Sequence, residues 1–175
     1  KPAATVDGKI VGWPIRVEAQ CYVYNKDMFE KAGITELPDT LTELEEVFEK
    51  LKAAGYGVTS NEYGDAFMGG MFIMNMGIAR QEDPMAFIAG LNNGTTTIAN
   101  NEVFLDLANW IKLDTSYDTN PLNTDFAAQV AKFTNKEVAI ITGGIWNQTA
   151  IKAADPTIRV GAMTTPINDD PETNG

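Results

Sequence analysis

Hydrophobic and polar positions alternate from Ile15 onward. Ile15, Val17, Ala19, Cys21 and Val23 fall on one side of an extended chain, and Arg16, Glu18, Gln20, Tyr22 and Tyr24 on the other, because successive side chains of a strand point to opposite faces. This predicts a half-polar strand over "IRVEAQCYVYN", preceded by a shorter extended segment in "GKIVGWP". "KDMFEKAG" has the length and terminal Gly33 of a short helix. The period then changes. Over residues 40–54, Leu41, Leu44, Val47, Phe48 and Leu51 recur at helical spacing, Thr40 and Glu43 form a capping box, and Gly55 closes the helix. Its outer face carries Glu45, Glu46, Glu49, Lys50 and Lys52 and reads as solvated.

A short loop leads into "DAFMGGMFIMNMG", which is apolar nearly all round and carries four methionines. Such a helix is buried core, although a soft methionine surface also suits the wall of a site. "DPMAFIAGL" places Pro84 at a helix start, and "NNGTTTIANN" predicts a turn and a short β segment. "NNEVFLDLANWIKL" repeats Val103, Leu105, Leu107, Trp110, Ile111 and Leu113 as an amphipathic helix, with Trp110 in the core. A further helix in "NTDFAAQVAKFTNKE" starts from an Asn or Thr cap. "VAIITGG" is a continuous apolar run ended by two glycines, the signature of a strand buried on both faces. "IWNQTAIKAADP" reads as a helix and "IRVGAMTTP" as a strand. Strands interspersed with helices define an α/β domain, a central sheet flanked by helices.

Composition narrows the functions open to such a domain. The 175 residues fit one ordinary globular unit. The formal net charge of -11, with Lys and Arg scattered, argues against nucleic acid or an anionic membrane surface as a partner. The absence of histidine removes Ser-His and Cys-His nucleophile pairs, the commonest general base and histidine metal sites, leaving carboxylates, Lys or Tyr for any catalysis. No metal or cofactor is expected. The single cysteine, Cys21, rules out an intrachain disulfide and reads as a buried thiol. No apolar run approaches the ~20 residues needed to cross a bilayer. The start lacks an initiating Met and the apolar core of a signal peptide, which suggests an excised or processed piece.

Three clusters carry candidate chemistry. In "ITGGIWNQ" a buried strand runs through Gly143 and Gly144 into a helix, placing backbone N–H groups and Trp146 at a strand's carboxyl end, where open α/β sheets bind ligands. The same glycines also suit a tight turn, with Trp146 packed under a helix. There is neither a GxGxxG nor a Walker sequence to cradle phosphate. The second cluster is the polar strand face centred on Glu18. A surface network with Arg16 and Gln20 is one reading; Trp13, Tyr22 and Tyr24 beside it favour a lined site. Aromatic planes with carboxylates are what a sugar needs, its C–H face packing on a ring and its hydroxyls donating to anionic acceptors. The third, "SNEYGDAF", repeats that chemistry with Glu62, Tyr63, Asp65 and Phe67 in a loop.

These residues carry a resemblance. "DGKIVGWPIRVEAQCYVYNKDMFEKAGI", "LPDTLTELEEVFEKLKAAG", "FTNKEVAIITGGIWN" and "VGAMTTP" together resemble the extracellular solute-binding proteins of ABC sugar importers, the class that includes maltose-binding protein. The resemblance implies a type II periplasmic-binding-protein-like fold in which two α/β lobes close around a sugar. This chain, 1–175, would be most of one lobe, the C-terminal one, with hinge-like crossing segments at 14–26 and 158–168. It implies a small-molecule sugar ligand, ABC permease subunits as partners of the full-length protein, a monomer, and an extracellular or periplasmic location with lipoprotein anchoring through a missing N-terminus. By the same carry-over, Glu18 is the acidic contact of the crossing strand and Trp146 the aromatic that stacks after the Gly144 turn. Asp65 and Phe67 fall near a loop that supplies an acid and an aromatic, with Tyr63 beside them and Trp13 near the cleft. The Glu-Pro-Tyr pattern of maltose-binding protein is absent there, which argues against a maltodextrin ligand.

Two readings from other classes remain beside this one. A glycosidase using Glu18 and Asp65 as acid and base needs their carboxyls about 5 to 9.5 Å apart across a scissile bond. A purely structural docking domain would bury Trp13 and Trp146. Within the binding class, a polyamine also suits acids and aromatics.

Overall fold

The computed structural model describes residues 4–13, 15 and 18–174. Its centre is a four-stranded mixed sheet of order β4-β5-β3-β6, formed by β3 (Gln20–Asn25), β4 (Gly57–Ser60), β5 (Val138–Gly144) and β6 (Val160–Met163). β3 runs antiparallel to β5 and to β6, with Gln20 opposite Gly144 and Tyr22 opposite Met163, while β4 runs parallel to β5. A separate two-residue hairpin, β1 (Thr5–Val6) and β2 (Lys9–Ile10), precedes it. Seven α-helices complete the described residues: α1 (Lys26–Lys31), α2 (Leu41–Ala53), α3 (Met74–Ala79), α4 (Pro84–Asn93), α5 (Glu102–Ser116), α6 (Phe126–Thr134) and α7 (Asn147–Ala154).

The α/β class and most elements follow the sequence pattern. The capping box of α2 is complete, the Thr40 side chain accepting from the Glu43 N–H and the Glu43 carboxylate from the Thr40 N–H. Leu44, Val47, Phe48 and Leu51 on its inner face are buried, each worth roughly 1.5–3 kcal/mol relative to exposure. β5 is buried along its whole length, and Trp110 is wholly enclosed.

Other expectations are corrected, each for a packing reason. The alternation at 15–24 is not one long strand: pairing begins at Gln20, Ile15 is 93% exposed and Ala19 is exposed, while Arg16 and Val17 lie outside the described residues. Nor is Tyr22 solvated, although Tyr24 beyond it is only partly buried. β3 is an interior strand with apolar layers on both sides, Cys21 and Val23 in one and Tyr22 in the other. Tyr22 is fully buried because its hydroxyl is satisfied internally, donating to Asp114 Oδ1 at 2.6 Å and accepting from Trp110 Nε1 at 2.7 Å. Cys21 is a buried free thiol pushed up to about 11 by that burial.

β4 falls in the stretch the pattern assigned to a loop. The β segment expected in "NNGTTTIANN" does not form; Gly94 takes the left-handed conformation and the N–H groups of Thr95 and Thr96 turn back to the Gly90 carbonyl. Leu105 is half exposed, since the buried stripe of α5 runs through Phe104, Leu107, Trp110 and Asp114. The N-cap of α6 is Asp125, just past the expected Asn or Thr cap at Asn123 or Thr124. Lastly, the methionine-rich stretch opens with a wide π-type turn over Met68–Ile73 before α3.

Candidate functional site

At the carboxyl end of β5 the chain turns sharply, and the glycines there have distinct tasks. Gly143 has φ +145 and lies against the Asn147 side-chain amide, which donates to the Thr142 carbonyl at 3.3 Å. A side chain at Gly144 would collide with the Trp146 ring and with the Ala19 carbonyl oxygen. The missing side chain therefore lets the indole lie back over β5, and the Ile145 N–H bonds to that same Ala19 carbonyl at 3.1 Å. Trp146 ends half-buried, edge to face with Phe67 at 6.0 Å between ring centroids and 89° between planes.

These two rings divide a concave surface into two hollows. The larger, about 610 Å³, is lined by Glu18, Gln20, Phe67, Met71, Asn75, Ala79 and Trp146, within the size range of small-molecule sites. The smaller, about 260 Å³, is lined by Glu62, Asp65, Phe67, Phe126 and Trp146. Phe67, Met71, Asn75 and Ala79 stand four residues apart along the wide turn and α3. A spacing of four overshoots the 3.6 residues of an α-turn and falls short in the broader i→i+5 turn. The opposed drifts keep the stripe on the groove. Gln20 ties the strand to this wall through its side-chain amide, which donates to the Phe72 carbonyl at 3.4 Å.

The carboxylates differ in setting. Glu18 is exposed at the groove's edge. Asp65 is half-buried, and its Oδ2 accepts from the Phe126 N–H at 3.0 Å, at the start of α6. Glu62 is only 2% exposed, its Oε1 has no hydrogen-bond partner, and burial followed by the nearby charges of Asp65 and Asp125 pushes its carboxyl up to about 7.

Of the residues selected from sequence, Glu18, Phe67 and Trp146 come together in the larger groove, Gly144 supports it from beneath, and Asp65 joins the second hollow. Trp13 and Tyr63 line neither. Trp13 is 83% exposed ahead of β3, and Tyr63 packs against the core with a buried, unpartnered hydroxyl whose titration is raised by burial and by Asp114 and Asp118. Sequence reading missed Gln20, Met71, Asn75, Ala79 and Phe126 as lining; the four-residue spacing from Phe67 was the signal for three of them. Among the described residues no group of three potential ligands is placed to hold a metal ion, and no helix is long and apolar enough to cross a membrane.

An α/β lobe with an aromatic and acidic groove at the carboxyl end of a buried strand defines a ligand-binding module. The chain belongs to the bacterial extracellular solute-binding proteins, whose family model matches residues 1–174. A chitin oligosaccharide binding protein superposes with a TM-score of 0.76 at 27% identity, covering 99% of this chain and 44% of that one. A sugar transporter from Bacillus licheniformis in complex with stachyose does so at 0.70 with 17% identity, covering 97% and 46%. A binding protein of Brucella abortus is 46% identical over 52 residues, 30% of this chain and 13% of its own. The chain thus spans less than half the length of the solved structures it matches.

Proposed function

We propose that this chain is one lobe of a solute-binding protein that delivers a carbohydrate to an ABC importer. The observation that carries this reading is the 610 Å³ groove in which the Trp146 and Phe67 rings meet the polar groups of Glu18, Gln20 and Asn75. An indole face takes the C–H side of a pyranose, while a carboxylate and two amides accept from and donate to its hydroxyls. The family and the likeness to a chitin oligosaccharide binding protein support the same class.

In this reading, segments 14–26 and 158–168 are the crossings to a second lobe, which closes over the sugar, and the permease recognises the closed form. The protein is a monomer outside the cell, anchored as a lipoprotein. It carries no catalysis. Glu18 and Asp65 line different hollows with the Phe67 and Trp146 rings shared between them, an arrangement unlike two carboxyls facing one scissile bond.

The test is intrinsic fluorescence titrated with mono- and oligosaccharides to millimolar concentrations, beside Trp146→Ala. Trp110 is enclosed and Trp13 lies outside the groove, so a saturable response in the parent that vanishes in Trp146→Ala supports the reading. Absence of any saccharide response, or one unchanged in Trp146→Ala, overturns it.

A further inference from the structure

The smaller hollow is chemically unlike the groove beside it. Its walls are the rings of Phe67, Phe126 and Trp146, and its polar groups are the carboxyls of Glu62 and Asp65. No Lys or Arg is among the residues lining it. Asp65 spends one oxygen on the Phe126 N–H, whereas Glu62 is buried with an oxygen that bonds to nothing. A buried carboxylate without a donor or a countercharge is costly to keep and persists where a ligand completes it. A sugar hydroxyl would satisfy the open oxygen but would leave the ionised form of this carboxyl pair, Glu62 with Asp65, without a countercharge. An ammonium group does both, and it is also attracted to the faces of surrounding aromatic rings. A metal ion fits poorly, because rings make up most of the wall and no three ligating side chains converge among the described residues.

We infer that the smaller hollow takes a cationic nitrogen, so that the carbohydrate bound by this chain carries a free amino group seated between Phe67, Phe126 and Trp146 against Glu62. The inference rests on the reading of the larger groove as a sugar site, since Phe67 and Trp146 are common to both hollows. The rise of the Glu62 carboxyl to about 7 agrees with it: with no cation nearby the group holds its proton near neutrality, and an entering ammonium would displace that proton.

The experiment compares cellotriose with the trimer of β-1,4-linked glucosamine, which differs from it by an amino group in place of one hydroxyl on each ring. Both are titrated at pH 7 and 0.15 M salt by calorimetry and tryptophan emission, against the parent chain and Glu62→Gln. The expected result is at least about tenfold tighter binding of the amino trimer, with the preference removed in Glu62→Gln and cellotriose affinity retained. Equal or weaker binding of the amino trimer overturns this inference and leaves the sugar reading standing. A preference that survives in Glu62→Gln comes from the overall negative charge and overturns the assignment to this hollow. Binding of neither trimer overturns this inference, and the sugar reading is then decided by the wider saccharide panel described above.

Discussion

Two carboxyls in this lobe, Asp114 and Glu62, are both buried and both pushed up to about 7, yet their surroundings differ. Asp114 sits under the sheet, where its Oδ1 accepts from the Tyr22 hydroxyl at 2.6 Å and the Thr59 hydroxyl at 3.3 Å. Tyr22 in turn accepts from Trp110, so three elements, β3, β4 and α5, are joined through one oxygen atom. Glu62 has no such donors and faces an aromatic hollow. Similar burial raises both groups and each keeps one oxygen without a partner, Oδ2 of Asp114 and Oε1 of Glu62, but only Asp114 has its other oxygen held by donors from the fold. Asp114 therefore belongs to the architecture, whereas Glu62, which lines a hollow and has no donor, is the one the inference above assigns to a ligand.

The sharpest way to break this contrast is Asp114→Ala. It leaves the Tyr22 hydroxyl without an acceptor inside the core, and a loss of about 3 kcal/mol in urea unfolding is expected, with the saccharide response of the remaining folded protein unchanged. A variant that keeps its stability and loses binding would reverse the assignment. Next comes Gly144→Ala, where the new methyl must push away the Trp146 ring or the Ala19 carbonyl. A cost of about 2 kcal/mol is expected, and unlike Asp114→Ala it should also weaken saccharide binding.

The smallest effect has the opposite sign. A carboxyl whose titration is raised on folding favours the native state most when protonated, so its contribution is fully present below the unfolded value and is lost as pH rises through about 7. Glu62→Gln removes that loss. The variant should match the parent near pH 4 and exceed it by on the order of 1–2 kcal/mol at pH 8, read as urea midpoints at the two values. A variant less stable than the parent at pH 8 would mean that Glu62 has an internal donor after all.

The elements that sequence reading found are those whose cause is local. Thr40, Glu43 and the Leu44-Val47-Phe48-Leu51 stripe specify α2 without help, and the apolar run 138–144 can only be a fully covered strand. β4 escaped because "GVTS" is four residues long beside Gly55 and a polar turn, and only its parallel pairing with β5 makes it a strand. Tyr22 misled in the other direction. Its polar atom suggests a wet face, but a tyrosine can be enclosed once its hydroxyl has partners, and those partners come from 88 and 92 residues further along the chain.

The site was legible as residue types, less so as an assembly. Trp146, Phe67 and Glu18 are recognisable one by one, and their meeting depends on the Gly144 turn and the wide turn at Met68–Ile73. Glu62 was visible in "SNEYGDAF", but its burial was not, because a loop acid is ordinarily solvated.

Phe67 and Trp146 form a party wall between two rooms. If ligands fill both, whatever leans on the indole from one side bears on how far it can yield to the other, and by reciprocity any change one occupant makes in the other's affinity is returned by the same factor. A single-ring ligand would then be a poor guide to the strength of a longer one, since the affinities of separate units need not multiply across a wall they share.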